Sequence, residues 1–473
     1  MSRALYSLGW WLATPLVMVY LLWRSRHQPE YRSHWAQRWG LVAARADAAP
    51  MVWVHAVSVG ETRAAQPLIA ALLARDPSLR ILLTHMTPTG RQTGEELFAS
   101  RFAGRVVQAY LPYDYPYATR RFLRAWRPLL GIVMETELWP NLCAAAVAEG
   151  VPLALVNARL SEKSLRKGLR WRSLMGPALD TLCCVVAQND ADAQRIRTLG
   201  REQVSIAGNM KFDVSAPVEM LERGREWRAG FGGRAVVVAA STRDGEERLL
   251  LDAWAALHGA GVSGSRASSV QGSSVQGSSA PASSAPASEP AGEAGTQGSG
   301  PAAQSRAHAP LLAIVPRHPQ RFDEVADEIA RRGLALARRS RFGEGAAAQA
   351  DVLLGDSMGE MFAYYAMADV AVLGGSLLPF GGQNLIEACA VGVPVLLGEH
   401  TYNFEDAARQ AIEAGAAHRV PDASAALHAA LELLAHPERR AMMSERAAAF
   451  AAAHRGATQR TLALLQPWLG TRD

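Results

Sequence analysis

ADVAVLGGSLLPFGGQNLIEACAVGVPVLLGE, residues 368–399, decides the architecture. Two short apolar runs, ADVAVLGG and VPVLLGE, enclose a glycine loop and a helical stretch that ends against the second run. Apolar runs this short, bounded by Gly and Pro, read as buried strands. A strand, a helix and a strand in that order form a parallel pair with its crossover. Working upstream, AVVVAAS (235–241), LLAIVPR (311–317) and ADVLLG (350–355) repeat the unit with helices between them. The first half carries the same pattern. MVWVHAV (51–57) leads to a helix from about Thr62, ILLTHM (81–86) leads to TGRQTGEELFAS, and LLGIVME (129–135) leads to a helix after Pro140. VPLALVN (151–157) and CCVVAQN (183–189) follow. The expectation is an α/β protein of two facing Rossmann-like domains, each a parallel sheet covered by helices on both faces, with a cleft between them.

Other stretches fall outside this pattern. From Ala4 to Trp23 there is no charged residue. A helix of that length reaches about 30 Å, the thickness of a bilayer's hydrocarbon. Tyr6, Trp10 and Trp11 at one end and Tyr20 and Trp23 at the other suit membrane interfaces. Arg24, Arg26, Arg32 and Arg38 follow the run and only Arg3 precedes it, which puts the body of the protein in the cytoplasm. The RSRHQPEYR that follows does not resemble a small-residue cleavage site, so the segment reads as a retained anchor. A helix that crosses the bilayer and one that lies in a single leaflet, with Pro15 as a kink, are both compatible with it. Residues 261–308, with SSVQG and then SSAPA in tandem, have almost nothing to bury and read as a disordered insertion inside the second domain.

A net charge of +5 is too mild to imply nucleic acid and fits a local basic patch facing anionic lipid or substrate. Cys143, Cys183, Cys184 and Cys389 lie in apolar stretches without metal-ligand spacing and read as reduced thiols. Arginine is the habitual cation: Lys163, Lys167 and Lys211 are the only lysines.

Ligands of open α/β sheets bind beyond the carboxyl ends of the strands, so the polar groups that follow the apolar runs are the candidates. HAVSVGE (55–61) places Glu61 at a helix start, either as a plain N-terminal acid or as a base for a sugar hydroxyl. ETELWPN (135–141) brings Glu135 to a strand end, where ionised acids need partners. GNMKFD (208–213) holds Lys211, a compact ammonium where this chain normally uses a guanidinium. In the second half, Pro316 and Arg317 follow a strand and offer a cation for phosphate. GDSMGE (355–360) and the glycine loop before Asn384 are two more strand-end loops, the latter opening a helix whose N–H groups suit phosphate.

Together these motifs resemble the bacterial Kdo (3-deoxy-D-manno-octulosonic acid) transferases of lipopolysaccharide assembly, which have the glycosyltransferase-B fold. The likeness runs through YRSHWAQRWG (31–40), HAVSVGE, THMTPTG (84–90), LPYD (111–114), METELWPN (134–141), NARLS (157–161), AQN (187–189), GNMKFD, VPRHPQRF (315–322), GDSMGE, GGS and GGQNLIEA, and leaves out only 261–308. It implies an inverting enzyme that moves Kdo from CMP-Kdo to a hydroxyl of a lipid A precursor, with no metal and no other cofactor. By the same resemblance Glu61 is the base, Glu135 and Lys211 stabilise the transition state, and CMP is held by Pro316, Arg317, Met358, Gly359, Glu360, Asn384, Leu385, Ile386 and Glu387. The implied plan is an anchor over 1–27, an acceptor domain over 28–215, a CMP-sugar domain over 216–440 and C-terminal helices over 441–473 that pack back on the first domain. Tyr31, Arg32, Trp35, Arg38 and Trp39 would form a basic, aromatic belt against anionic head groups of the inner membrane. A sugar-nucleotide epimerase of the same fold would account for the nucleotide loops but not for the anchor. A non-catalytic lipid-binding protein would account for the belt but not for Glu61, Glu135 and Lys211.

Overall fold

The computed structural model describes residues 2–26, 28–45, 47–213, 216–266, 309–342 and 348–470. The chain divides into two compact units, one of Met1–Val214 with His454–Asp473 and the other of Ser215–Ala453.

The first unit is built on strands β1 (Met51–His55), β2 (Arg80–His85), β3 (Val106–Tyr110), β4 (Leu130–Met134), β5 (Leu153–Ala158), β6 (Cys184–Ala187) and β7 (Ser205–Ile206), all parallel, in the order β3-β2-β1-β4-β5-β6-β7. Successive side chains of a strand point to opposite faces, and both faces are covered. Trp53 therefore packs with Phe122, Leu142 and Leu153 on one side, while Val52 and Val54 pack with Leu68, Ile69 and Leu72 on the other. Gly131 in β4 makes room for that tryptophan: a Cβ there would come within 2.7 Å of the Trp53 ring and 2.4 Å of Leu153. Ala457, Leu462 and Leu465 of the last helix (Ala457–Leu465) enter the second of these cores, so the chain's end completes its first unit.

The second unit repeats the plan with β8 (Val236–Thr242), β9 (Leu311–Pro316), β10 (Leu336–Arg338), β11 (Val352–Leu354), β12 (Val370–Leu373), β13 (Val395–Leu397) and β14 (Ala417–Arg419), again parallel, in the order β10-β11-β9-β8-β12-β13-β14. In both sheets the strand order reverses beside the first strand, between β1 and β4 and between β8 and β12. Such a reversal opens a crevice at the carboxyl ends of the two strands.

The N-terminal apolar segment forms one helix, Arg3–Arg24, long and apolar enough to cross a membrane. The helix after β8 runs from Glu246 to Arg266, and the remainder of the expected insertion, 267–308, lies outside the described residues. One expectation needs correction: the expected surface belt is mostly interior. Arg38 is 1% and Tyr31 6% exposed, Trp35 and Trp39 are partly buried, and only Arg32 of the five is exposed. The guanidinium of Arg38 lies 4.0 Å from the centre of the Tyr110 ring and donates to the Met86 carbonyl. A stacked, hydrogen-bonded arginine can be buried where an unpaired one could not.

Candidate functional site

Glu61, Glu135 and Lys211 all lie at the carboxyl edge of the first sheet, the two glutamates flanking its reversal. After β1 the chain turns at Val57–Ser58 and enters the Val59–Arg75 helix, which puts Glu61 in the first helical turn. One carboxylate oxygen accepts the Val57 N–H at 2.7 Å, and among the described residues the other meets only the Ser58 hydroxyl, at 3.4 Å. Ser58-Val59-Gly60-Glu61 thus has the spacing of a capping box. The turn is braced from β2: the Val57 carbonyl accepts from Met86 N–H and from the Thr87 hydroxyl, and the Ala56 carbonyl lies 3.0 Å from His85 Nδ1. Burial pushes the Glu61 carboxyl up to about 7, and the nearby charges of Glu135 and Glu137 push the same way against the hydrogen bonds from Val57 and Ser58. A carboxylate that titrates near neutrality, with one oxygen barely used, suits a general base.

Glu135 directly follows β4, and its backbone is left-handed, φ +56°. For a non-glycine residue that conformation is strained and is kept only where the surroundings impose it. Here the Glu135 N–H donates to Val156 O and its carbonyl accepts from Arg159 N–H, while its side chain meets Lys211 Nζ at 3.2 Å. The pair is mostly buried, with side-chain exposures of 22% for Lys211 and 16% for Glu135.

Lys211 sits on a single 3-10 turn, Met210–Phe212, held from three sides. Asn157, itself left-handed at φ +50°, accepts the Met210 N–H; Asn209 accepts the Lys211 N–H; and the Asp213 carboxylate accepts N–H groups of Gly456 and Thr458. The one signal for Asn157 in the sequence is a polar residue at the end of an apolar run.

The three expected nucleotide loops follow β11, β9 and β12 of the second sheet, with β8 lying between the last two. Pro316 is buried at the end of β9, and the Arg317 N–H donates to Thr242 O. Met358 is 57% exposed and Gly359, at φ +78°, is in the open, so both are accessible beyond β11. Glu360 is held by Arg223 and Arg339 at 2.9 and 2.8 Å. Burial acts to raise it, but Ser357 and these arginines outweigh that and keep its carboxyl below the usual range. Asn384 caps the short Leu385–Val391 helix, its side chain accepting the Ile386 N–H and donating to Glu387. Leu385 and Ile386 are buried, and the Ile386 N–H is taken by the Asn384 side chain.

Two further residues of this edge escaped the sequence reading, both in STRDGE after β8. The Arg243 guanidinium is 3.2 Å from His318 Nε2 and stacks on Phe380 of the glycine loop, 4.9 Å from the ring centre. Burial, with the charges of Arg243, Arg317 and Arg321, lowers the His318 imidazole, leaving a cation-rich corner around a neutral ring. Glu246 is wholly buried and accepts N–H groups from Arg243, Gly375, Leu377 and Leu378. It clamps the β8 loop to the β12 loop where the two backbones touch: a Cβ on Gly374 would lie 2.3 Å from Ser241 O. Glu246→Gln turns one acceptor into a donor facing donors. It is expected to cost about 1–3 kcal/mol, the range for buried polar groups left unpaired, read as a lower urea midpoint. An unchanged midpoint would mean the loops hold themselves.

Comparison with known proteins bears on this geometry. The family model for 3-deoxy-D-manno-octulosonic-acid transferase (kdotransferase) matches residues 33–214, and that for group 1 glycosyl transferases matches 343–450. A 3-deoxy-D-manno-octulosonic acid transferase of Bordetella pertussis is 46% identical over 474 residues, covering 99% of this chain and 100% of that protein. The Haemophilus influenzae protein of the same name is 32% identical over 99% of both. Among solved structures, UDP-GlcNAc 2-epimerase from Neisseria meningitidis matches with a TM-score of 0.52 at 13% identity, over 88% of this chain and 100% of that one. That likeness is one of fold alone.

Proposed function

The chain belongs to the 3-deoxy-D-manno-octulosonic acid transferases, and from that premise we propose that it moves Kdo from CMP-Kdo to a hydroxyl of a lipid A precursor, with inversion, at the cytoplasmic face of the inner membrane. The observation that carries the reading is the gathering of Glu61, Glu135 and Lys211 at the reversal point of the first sheet.

In this mechanism the Glu61 carboxylate removes the proton of the acceptor hydroxyl. The freed oxygen bonds to the anomeric carbon of Kdo as the bond from that carbon to the CMP phosphate oxygen breaks, and the electron pair leaves with CMP. Lys211, oriented by Glu135, faces the charge that shifts during transfer. Arg317, with Arg243 beside it, meets the phosphate, and backbone groups from Met358 to Glu360 and from Asn384 to Glu387 hold the nucleotide. No metal or covalent nucleophile takes part in this proposed step.

The direct test is release of CMP from CMP-Kdo with and without the lipid A precursor. Acceptor-dependent release supports transfer; donor binding without release would leave a binding protein, and neither would return the epimerase reading. The pH dependence is a second check. A base must be deprotonated, so kcat/KM is expected to rise with pH and level off above about 7, where Glu61 is ionised. Stability runs the other way. The carboxyl is raised above 4.5 in the folded chain, so protonation favours folding, and that contribution is lost as pH rises toward about 7. A kcat/KM that is flat between pH 5 and 8, in terms of the raised carboxyl's range, would remove Glu61 from the role.

A further inference from the structure

We propose that the Arg3–Arg24 helix lies flat in the membrane surface, docked along one side on the first unit, and does not cross the bilayer. The inference rests on membrane attachment as read above and adds its geometry.

The helix is two-sided. Tyr6, Ser7, Trp10, Thr14, Val17 and Leu21 recur at three- and four-residue steps and face the protein. The Ser7 hydroxyl donates to Asn141 Oδ1 at 3.1 Å, and the Thr14 hydroxyl is 2.6 Å from that of Tyr115. The Trp10 ring stacks between Tyr113 and Trp139, at 6.1 and 6.4 Å. Leu21 is buried with Tyr31 and Tyr113, and at the far end the Arg24 guanidinium lies 4.9 Å from the Tyr31 ring centre. The opposite face, Leu5, Leu8, Leu12, Leu16, Val19 and Trp23, is 53–73% exposed and carries no charged side chain.

The length of the docked stripe decides between the two poses. A helix of 22 residues is about 33 Å long, and its contacts with the unit run from Tyr6 and Ser7 to Arg24. Standing across a hydrocarbon layer about 30 Å thick, it would carry everything docked on it to the same depth. That includes the helix that starts beside Tyr115, Pro116–Trp126, with Arg120 and Arg124 half exposed and paired to Glu149. Charged groups at that depth cost about 3 kcal/mol each on the mildest scale. Undocking the helix would instead bare Trp10, Tyr31, Tyr113 and Tyr115. Lying flat avoids both costs. It sinks the outer leucines and Trp23 among the acyl chains and leaves Arg3 at one end, and Arg24, Arg26 and Arg32 at the other, level with anionic head groups.

The two poses put the amino terminus on different sides of the membrane. Ser2→Cys and, as a reference on the exposed surface of the second unit, Ser424→Cys are made in the full chain, with the parent's four thiols as background. Membranes of the expressing bacterium are prepared as inverted and as right-side-out vesicles and treated with an impermeant maleimide. Labelling of Ser2→Cys on the same face as Ser424→Cys is the expected result. Labelling on the opposite face alone would overturn the proposal. So would a chain that stays in the soluble fraction, for instance as a dimer with the outer faces of two helices joined. Sedimentation reports attachment and CMP release reports transfer, so failure of the flat pose is separable from failure of either.

Discussion

Glu61→Gln is expected to lower turnover by roughly 100-fold or more, the usual scale for losing a general base, with CMP-Kdo binding little changed. The substitution is informative because Glu61 has two possible jobs. Its Oε2 accepts the Val57 N–H at the start of the Val59–Arg75 helix, and that alone would justify an acid there. Glutamine keeps an oxygen for that N–H and nearly the same volume, so the cap survives while the base is lost. Chain stability should hold or rise near neutral pH, since the buried carboxyl is raised to about 7 and its ionised form is disfavoured in the folded state. Turnover within a few-fold of the parent, with the melting temperature maintained, would make Glu61 a helix cap and send the search for the base elsewhere.

The contrast between what the sequence disclosed and what it hid follows the same physics. Strands with both faces buried were legible as apolar runs closed by Gly, Pro or a polar group, as with MVWVH, LGIVM and VVVAAST. The strands missed are β3, β7, β10 and β14, the four edges of the two sheets. LAR and AHR are three residues long, carry an arginine each and have no run to recognise. Short, charged edges are how sheets avoid pairing with other chains, and the same features hide them. At the site, Glu61 and Glu135 stood out because each belongs to a polar stretch that follows an apolar run, and Lys211 because lysine is rare in this chain. Glu246 could not, since what marks it is four N–H donors, three of them about 130 residues away in the chain. Arg38 was misread for the matching reason: only the Tyr110 ring and the Met86 carbonyl, both supplied by the fold, turn a basic belt residue into a buried one.

Lys211→Arg is the second large effect expected. Lys163 and Lys167, on the exposed Glu162–Arg170 helix, should accept arginine silently, as this chain does almost everywhere it needs a cation. Lys211 differs in its confinement. Its turn is fixed through Asn157, Asn209 and Asp213, its side chain is only 22% exposed, and its ammonium already meets Glu135 at 3.2 Å. A forked, planar and bulkier guanidinium cannot reproduce a point charge in that space. Removing one group that stabilises developing charge typically costs 100- to 1,000-fold in kcat; Lys211→Met should fall in roughly that range, with Lys211→Arg recovering only part of the loss. Because Lys211 and Glu135 act as a pair, Glu135→Gln in the Lys211→Met background should cost much less than it does alone. The fold and CMP binding, proposed above for the second unit, should be kept in all of them. Equal turnover in Lys211→Arg, Lys163→Arg and Lys167→Arg would mean that Lys211 supplies ordinary positive charge. Strict additivity of Glu135→Gln and Lys211→Met would mean that their 3.2 Å contact plays no part in transfer.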